Sequence, residues 1–154
     1  MTEDELFARR PMGMRMAMVV RQWRAIIDAA ITDTGLTQSS WTVLMQLYQR
    51  GDNVSVSELA EVQGIELPPL MRTLTQLENQ GYLVRSTSPY DKRIRLLTLT
   101  AEGLTKLEDL NRVIETYQSR VTRTIPEADI ATLSTTLNQI ACNLRTLREE
   151  EKKI

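Results

Sequence analysis

Apolar residues recur at three- and four-residue steps from about Arg9 to Thr32: Met12, Met16, Val19, Val20, Trp23, Ile26, Ile27 and Ile31. That spacing gathers side chains on one face of an α-helix. Asp33-Thr34-Gly35 punctuates its end. Thr37 or Ser39 can cap a second helix, with Trp41, Leu44, Leu47 and Tyr48 on its apolar face, and Gly51-Asp52-Asn53 breaks it. Ser55-Val56-Ser57-Glu58 reads as a capping box, in which the serine hydroxyl accepts the Glu58 N–H and the glutamate reaches back. The helix it opens is short, Val56 to about Gln63, and Gly64 stands where a left-handed residue closes a helix. Leu67-Pro68-Pro69 suits a helix's first turn, where a missing N–H costs nothing. That next helix runs to about Gln80 and stops at Gly81.

The period then changes. Tyr82–Arg85 and Ile94–Leu99 have strand composition, with the polar turn Ser86–Arg93 between them. Thr100 can cap a long helix through Leu104, Leu107, Leu110, Ile114, Tyr117 and Val121. After a turn at Thr124–Glu127, a last helix carries Ile130, Leu133, Leu137, Ile140, Leu144 and Leu147. The expected fold is mainly α with a small β-hairpin wing. It is one domain over residues 1–154, with a winged helix-turn-helix at about 37–100 between helices at about 9–32 and 101–150. The first and last helices have broad apolar faces and no evident core of their own. Such faces pack on each other or on a second copy, so a homodimer joined by both chain ends is expected.

Composition narrows the chemistry. The 154 residues include no histidine and one cysteine, Cys142. That removes the commonest general base and zinc ligand, and a lone cysteine closes no internal disulfide, which suits a reducing cytoplasm. No phosphate-binding glycine loop, metal-ligand spacing or nucleophile beside a base is present, so neither an enzyme nor a cofactor is expected. No apolar run reaches bilayer length, and the acidic Met1–Glu5 lacks the basic start of a signal peptide. A cytoplasmic protein without membrane contact is the expectation. The net charge of −1 requires any DNA footprint to be local.

Two places offer such a footprint. In the helix after Gly64, Leu70, Leu74 and Leu77 share one face, and Pro69, Arg72, Gln76 and Asn79 share the other, with Thr73 at the flank. Arginine can fork onto guanine, glutamine onto adenine, and hydroxyls onto phosphates. The bland alternative is a solvated helix face. In the hairpin, Arg85, Lys92, Arg93 and Arg95 face one acid, Asp91. A narrow minor groove attracts an inserted arginine, and Asp91 is placed to hold Arg93 extended by paired hydrogen bonds; the alternative is a turn kept soluble by charge. The methionines Met12, Met14, Met16 and Met18 fit a core or interface helix better than a ligand pocket. Cys142, between Ile140 and Leu144, is expected to be a buried structural thiol.

At this point the chain resembles the MarR/SlyA family of winged-helix regulators. The resemblance rests on Ser57-Glu58-Leu59-Ala60, Pro68–Leu74, Leu77–Leu83, and Asp91-Lys92-Arg93 ahead of Leu97–Gly103. Val20–Arg24 and Leu36–Trp41 are similar to the SlyA branch. It implies a homodimer with intertwined end helices, bound to double-stranded DNA at an imperfect palindrome. By the same resemblance Arg72, with Pro69, Thr73 and Gln76, would enter the major groove. Arg93, held by Asp91 and flanked by Lys92 and Arg85, would enter the minor groove, and Ser39 and Ser40 would touch the phosphate backbone. Many members bind a small aromatic carboxylate or phenol, which here implicates Arg21, Trp41, Arg72 and Thr73. Pro69 stands where close relatives often carry serine, and Met18 where the SlyA branch often carries a base; Cys142 does not match the family's N-terminal peroxide-sensing thiol. Against a DNA-binding regulator stand two other classes, a winged-helix protein-interaction module without sequence-specific DNA binding and a sensor controlled chiefly by its small ligand.

Overall fold

The computed structural model describes residues 1–153. In chain order the elements are α1 (Glu3–Arg9), α2 (Met12–Ala30), a 3₁₀ turn (Thr32–Thr34), α3 (Gln38–Arg50), β1 (Val54–Ser55), α4 (Val56–Gln63) and α5 (Leu67–Asn79). There follow β2 (Leu83–Thr87), β3 (Arg95–Leu99), α6 (Ala101–Thr122) and α7 (Glu127–Lys152). The chain divides into two compact units, Met1–Tyr117 and the segment from Gln118 onward.

The first unit holds the core. Leu44 (α3), Leu59 (α4), Leu70, Leu74 and Leu77 (α5), Leu83 (β2) and Leu97 (β3) are fully buried, joined by Ile27, Leu107, Leu110 and Ile114. Burying one such side chain stabilises by roughly 1.5–3 kcal/mol, so this cluster sets the angle between α5 and the sheet. The sheet is antiparallel in the order β1-β3-β2, with Leu83 opposite Leu99, Arg85 opposite Leu97 and Val54 opposite Leu97 on the other side. The expected hairpin thus has a third strand, two residues long, supplied by the segment that also caps α4. So short a strand carries no alternation for a sequence pattern to register.

Local chemistry explains the boundaries. Thr37 caps α3 by accepting the Ser40 N–H at 3.3 Å, and Asp28 of α2 accepts the Gln38 N–H at 2.7 Å, which ties the two helices at that end. Gly64 adopts φ +63°, a left-handed cap that lets the chain turn from α4 into α5. Thr100 accepts the Gly103 N–H at 3.0 Å and donates to the Gly81 carbonyl at 2.6 Å, pinning the start of α6 to the end of α5. Gly103 is buried, and a Cβ there would sit 2.0 Å from the Tyr82 carbonyl oxygen.

Three expectations are corrected. The chain from Arg9 is not one helix: Pro11 separates α2 from α1, which a Thr2–Glu5 capping box opens. The capping box at Ser55 forms only its first half, at 3.1 Å, and the Glu58 carboxylate lies 3.9 Å from Arg50 instead. Cys142 is exposed rather than buried. It lies on α7, which has no buried residue, and Leu133, Leu137, Leu144 and Leu147 are each about half exposed. On α2, Met12, Met14, Val19, Val20 and Ile26 are likewise exposed. No helix among the described residues is long and apolar enough to cross a membrane.

Candidate nucleic-acid interface

The outward face of α5 follows from its inward one. With Leu70, Leu74 and Leu77 locked in the core, Pro69, Arg72, Gln76 and Asn79 are exposed, and Thr73 is half-buried. Among the described residues Arg72 has no ion-pair partner, so its guanidinium is available to a ligand. Gln76 donates from Nε2 to the Gly35 carbonyl at 3.2 Å, which leaves its Oε1 open as an acceptor. Thr73 returns its hydroxyl to the Pro69 carbonyl at 3.3 Å, one helical turn back. Glu66, at the N-cap, makes no side-chain cap, and Pro68 and Pro69 supply no N–H. The first turn of α5 therefore offers few donors, and the polar chemistry of the face begins at Arg72.

The wing tip is a tightly bonded turn. Ser88 is buried, and its hydroxyl accepts the backbone N–H groups of Tyr90 at 3.2 Å and Asp91 at 3.4 Å. Its own N–H donates to the Ile94 carbonyl at 3.0 Å, and the Ile94 N–H donates to the Asp91 carbonyl at 3.1 Å. Asp91 then grips Arg93 at three points. Oδ1 accepts the Arg93 backbone N–H at 3.0 Å and Nε at 3.1 Å, while Oδ2 accepts Nη2 at 3.0 Å. The side-chain hydrogen bond from Arg93, aided by its backbone N–H, holds the Asp91 carboxyl below its ordinary value, and the same bond raises Arg93 above its own. Both groups stay ionised at neutral pH. The Arg93 side chain is 90% exposed, and its Nη1 donors face away from the pair's two side-chain bonds. This is a cation held in one rotamer in water, next to the exposed Lys92.

Arg85, expected beside these cations, is engaged inside the fold. Its Nε and Nη2 fork onto the two carboxylate oxygens of Glu78 at 3.2 Å each, its backbone N–H adds a bond at 3.1 Å, and Nη2 also reaches the Thr75 hydroxyl at 3.1 Å. The Arg85 hydrogen bond lowers the Glu78 carboxyl pKa, against a smaller opposing effect of burial. Arg95 donates to Thr87 across the strand pair at 3.1 Å. Ser40 is also displaced from its expected role. It is 1% exposed and its hydroxyl pairs with Thr37 at 3.3 Å, so it does not reach the surface. Ser39 is half-buried and accepts from Arg24 at 3.1 Å.

The residues implicated in small-ligand binding lie on three helices. Arg21 is exposed on α2; Trp41 is half-buried on α3 and donates its indole N–H to Asn111 at 2.8 Å; Arg72 and Thr73 are on α5. No group of three or more metal-ligating side chains converges among the described residues. Sequence reasoning missed Glu78 and Thr75, which hold Arg85, and Ser88, which organises the tip. Only Ser88-Pro89 carried a local signal, as a turn dipeptide.

Comparison with known proteins agrees with this architecture. A MarR family model matches residues 34–94. The crystal structure of transcriptional regulator PA3341 is 31% identical, with 88% of this chain and 99% of that one covered at a TM-score of 0.76. A mutant MarR from E. coli complexed with operator DNA is 24% identical, with 84% and 93% covered at a TM-score of 0.74. CouR from Rhodococcus jostii RHA1, bound to p-coumaroyl-CoA, is 24% identical, with 88% and 94% covered at 0.75. With its capped helix-turn-helix, its three-stranded wing and these relatives, the chain belongs to the MarR family of winged helix-turn-helix transcriptional regulators.

Proposed function

We propose that this regulator binds a palindromic promoter site as a homodimer, with α5 in the major groove and the wing tip in the minor groove. The observation that carries the reading is the Asp91–Arg93 fork, which holds an exposed guanidinium extended at the apex of a rigid turn. A free arginine loses side-chain entropy on binding, and one already held in its rotamer loses less. The minor groove supplies the complementary negative potential. Arg72, exposed and without an ion-pair partner, is the chief candidate for base readout on α5, with Gln76 Oε1, Thr73 and Pro69 around it. Ser39 and Lys92 stand as phosphate contacts. The half-exposed apolar stripes on α2 and α7 support a dimer, because exposed leucine and methionine at helical spacing gain by burial against a second copy. Such a role places the protein in the cytoplasm with its DNA.

A further reading is that a small aromatic carboxylate or phenol modulates DNA binding through Arg21, Trp41, Arg72 and Thr73; its support is that CouR, of the same fold, is bound to a phenol-bearing ligand, p-coumaroyl-CoA. Titrating salicylate-like compounds into the protein–DNA complex tests it, and unchanged affinity across the series counts against it.

The deciding experiment for DNA binding is enrichment of random duplexes by the purified protein, followed by footprinting. The expected result is a two-fold symmetric site with half-sites about one helical turn apart and affinity that falls steeply with salt. Recovery of no common sequence would overturn the proposal and favour a protein-interaction module.

A further inference from the structure

Tyr90 is 97% exposed, the barest of the large apolar side chains among the described residues. A ring left in water adds nothing to folding stability, because the gain from burying it is forgone. Its backbone is the opposite of loose. The Tyr90 N–H is bonded to the buried Ser88 hydroxyl, Pro89 restricts the preceding φ, and the Asp91 N–H shares the same acceptor. The fold thus holds the backbone that carries this bare ring at a fixed place.

Its neighbourhood says what that place suits. Tyr90 directly precedes Asp91, whose charge is engaged by Arg93, and Lys92 next to it is exposed. No other acid lies between Ser86 and Arg95. The apex therefore combines a cationic surface with a flat, amphipathic ring. The matching surface is anionic at its rim and apolar between the charges, and the deoxyribose walls of a minor groove have that character. We infer that Tyr90 is a further DNA contact, packing its ring on the sugar–phosphate rim of the groove that Arg93 enters. This rests on the DNA-binding reading above. The ring adds affinity without adding an ionic contact, and a side chain with only two torsions on a hydrogen-bonded backbone costs little entropy to dock.

The test uses the full-length protein and the duplex that the wild type itself selects. Tyr90→Ala is expected to weaken binding about three- to tenfold, with thermal stability unchanged and the same slope of log affinity against log salt. Tyr90→Phe is expected to bind as wild type, since the ring face and not the hydroxyl makes the contact. A photo-reactive phenylalanine analogue at position 90 is expected to crosslink to DNA on irradiation. Wild-type affinity in Tyr90→Ala overturns the inference, as does a loss in Tyr90→Phe equal to that in Tyr90→Ala. Crosslinking to the second protomer or to another protein in place of DNA also overturns it. Failure of the wild type to select any duplex would instead overturn the DNA-binding reading, so the two failures are distinct.

Discussion

Arg85 of β2 and Glu78 of α5 form a two-point fork, 3.2 Å at each side-chain contact, that fastens the wing to the helix proposed to read DNA. They lie seven positions apart in the chain, and the turn at Gly81 brings them face to face. The pair is partly shielded, with Arg85 21% and Glu78 36% exposed, and it has a third partner in Thr75. Arg85→Met is expected to lower stability by about 1 kcal/mol, the upper end for an ion pair still open to water. Because Arg85 is engaged inside the fold, the salt slope of DNA binding is expected to stay at the wild-type value. A slope lower by about one would mean that Arg85 does neutralise a phosphate.

The same pair gives a pH dependence. The Arg85 hydrogen bond lowers Glu78 from its ordinary value near 4.5. A carboxylate with a depressed folded-state pKa contributes stability that is complete above its ordinary value and is lost as pH falls through the lowered one. Thermal melts from pH 7 down to 3 should therefore show a steeper fall below about pH 4.5 for wild type than for Glu78→Gln. Parallel curves would remove Glu78 from the acid sensitivity.

Arg93 and Asp91 are expected to fail differently. Arg93→Ala removes the inserted cation and should weaken binding to the selected site by roughly five- to a hundredfold, with a lower salt slope. Asp91→Ala leaves the cation but frees its rotamer. It should reduce the ratio of specific to non-specific affinity, while non-specific affinity does not fall. Anisotropy titrations on selected and scrambled duplexes check both, and equal losses on the two duplexes for Asp91→Ala would refute the positioning role.

Gly103 marks where α6 meets the root of the wing. A Cβ at that position would lie 2.0 Å from the Tyr82 carbonyl oxygen and 2.7 Å from Leu99 Cδ1. Backbone cannot move aside as a flexible side chain can. Gly103→Ala is expected to destabilise by about 1–3 kcal/mol through overpacking, read as a lowered denaturation midpoint. A variant as stable as wild type would show that the α6–wing contact is plastic.

Periodicity and punctuation determined much of this protein. Leu70, Leu74 and Leu77 declared the buried face of α5, Gly64 its preceding turn, and both follow from rules acting within a few residues. The Asp91–Arg93 grip was legible for the same reason, since two residues of separation leave the partners within reach in almost any turn. Where partners came from distant segments, only the tertiary structure decided. Arg85 carries the same charge as Arg93, yet packing of β2 against α5 gives it to Glu78 and Thr75. Ser40 has the hydroxyl of a phosphate contact, and the core around α3 buries it. Cys142 has an apolar stripe on either side, and nothing within its unit covers it. A residue type states which bonds are possible, and the neighbours that the fold brings up decide which of them form.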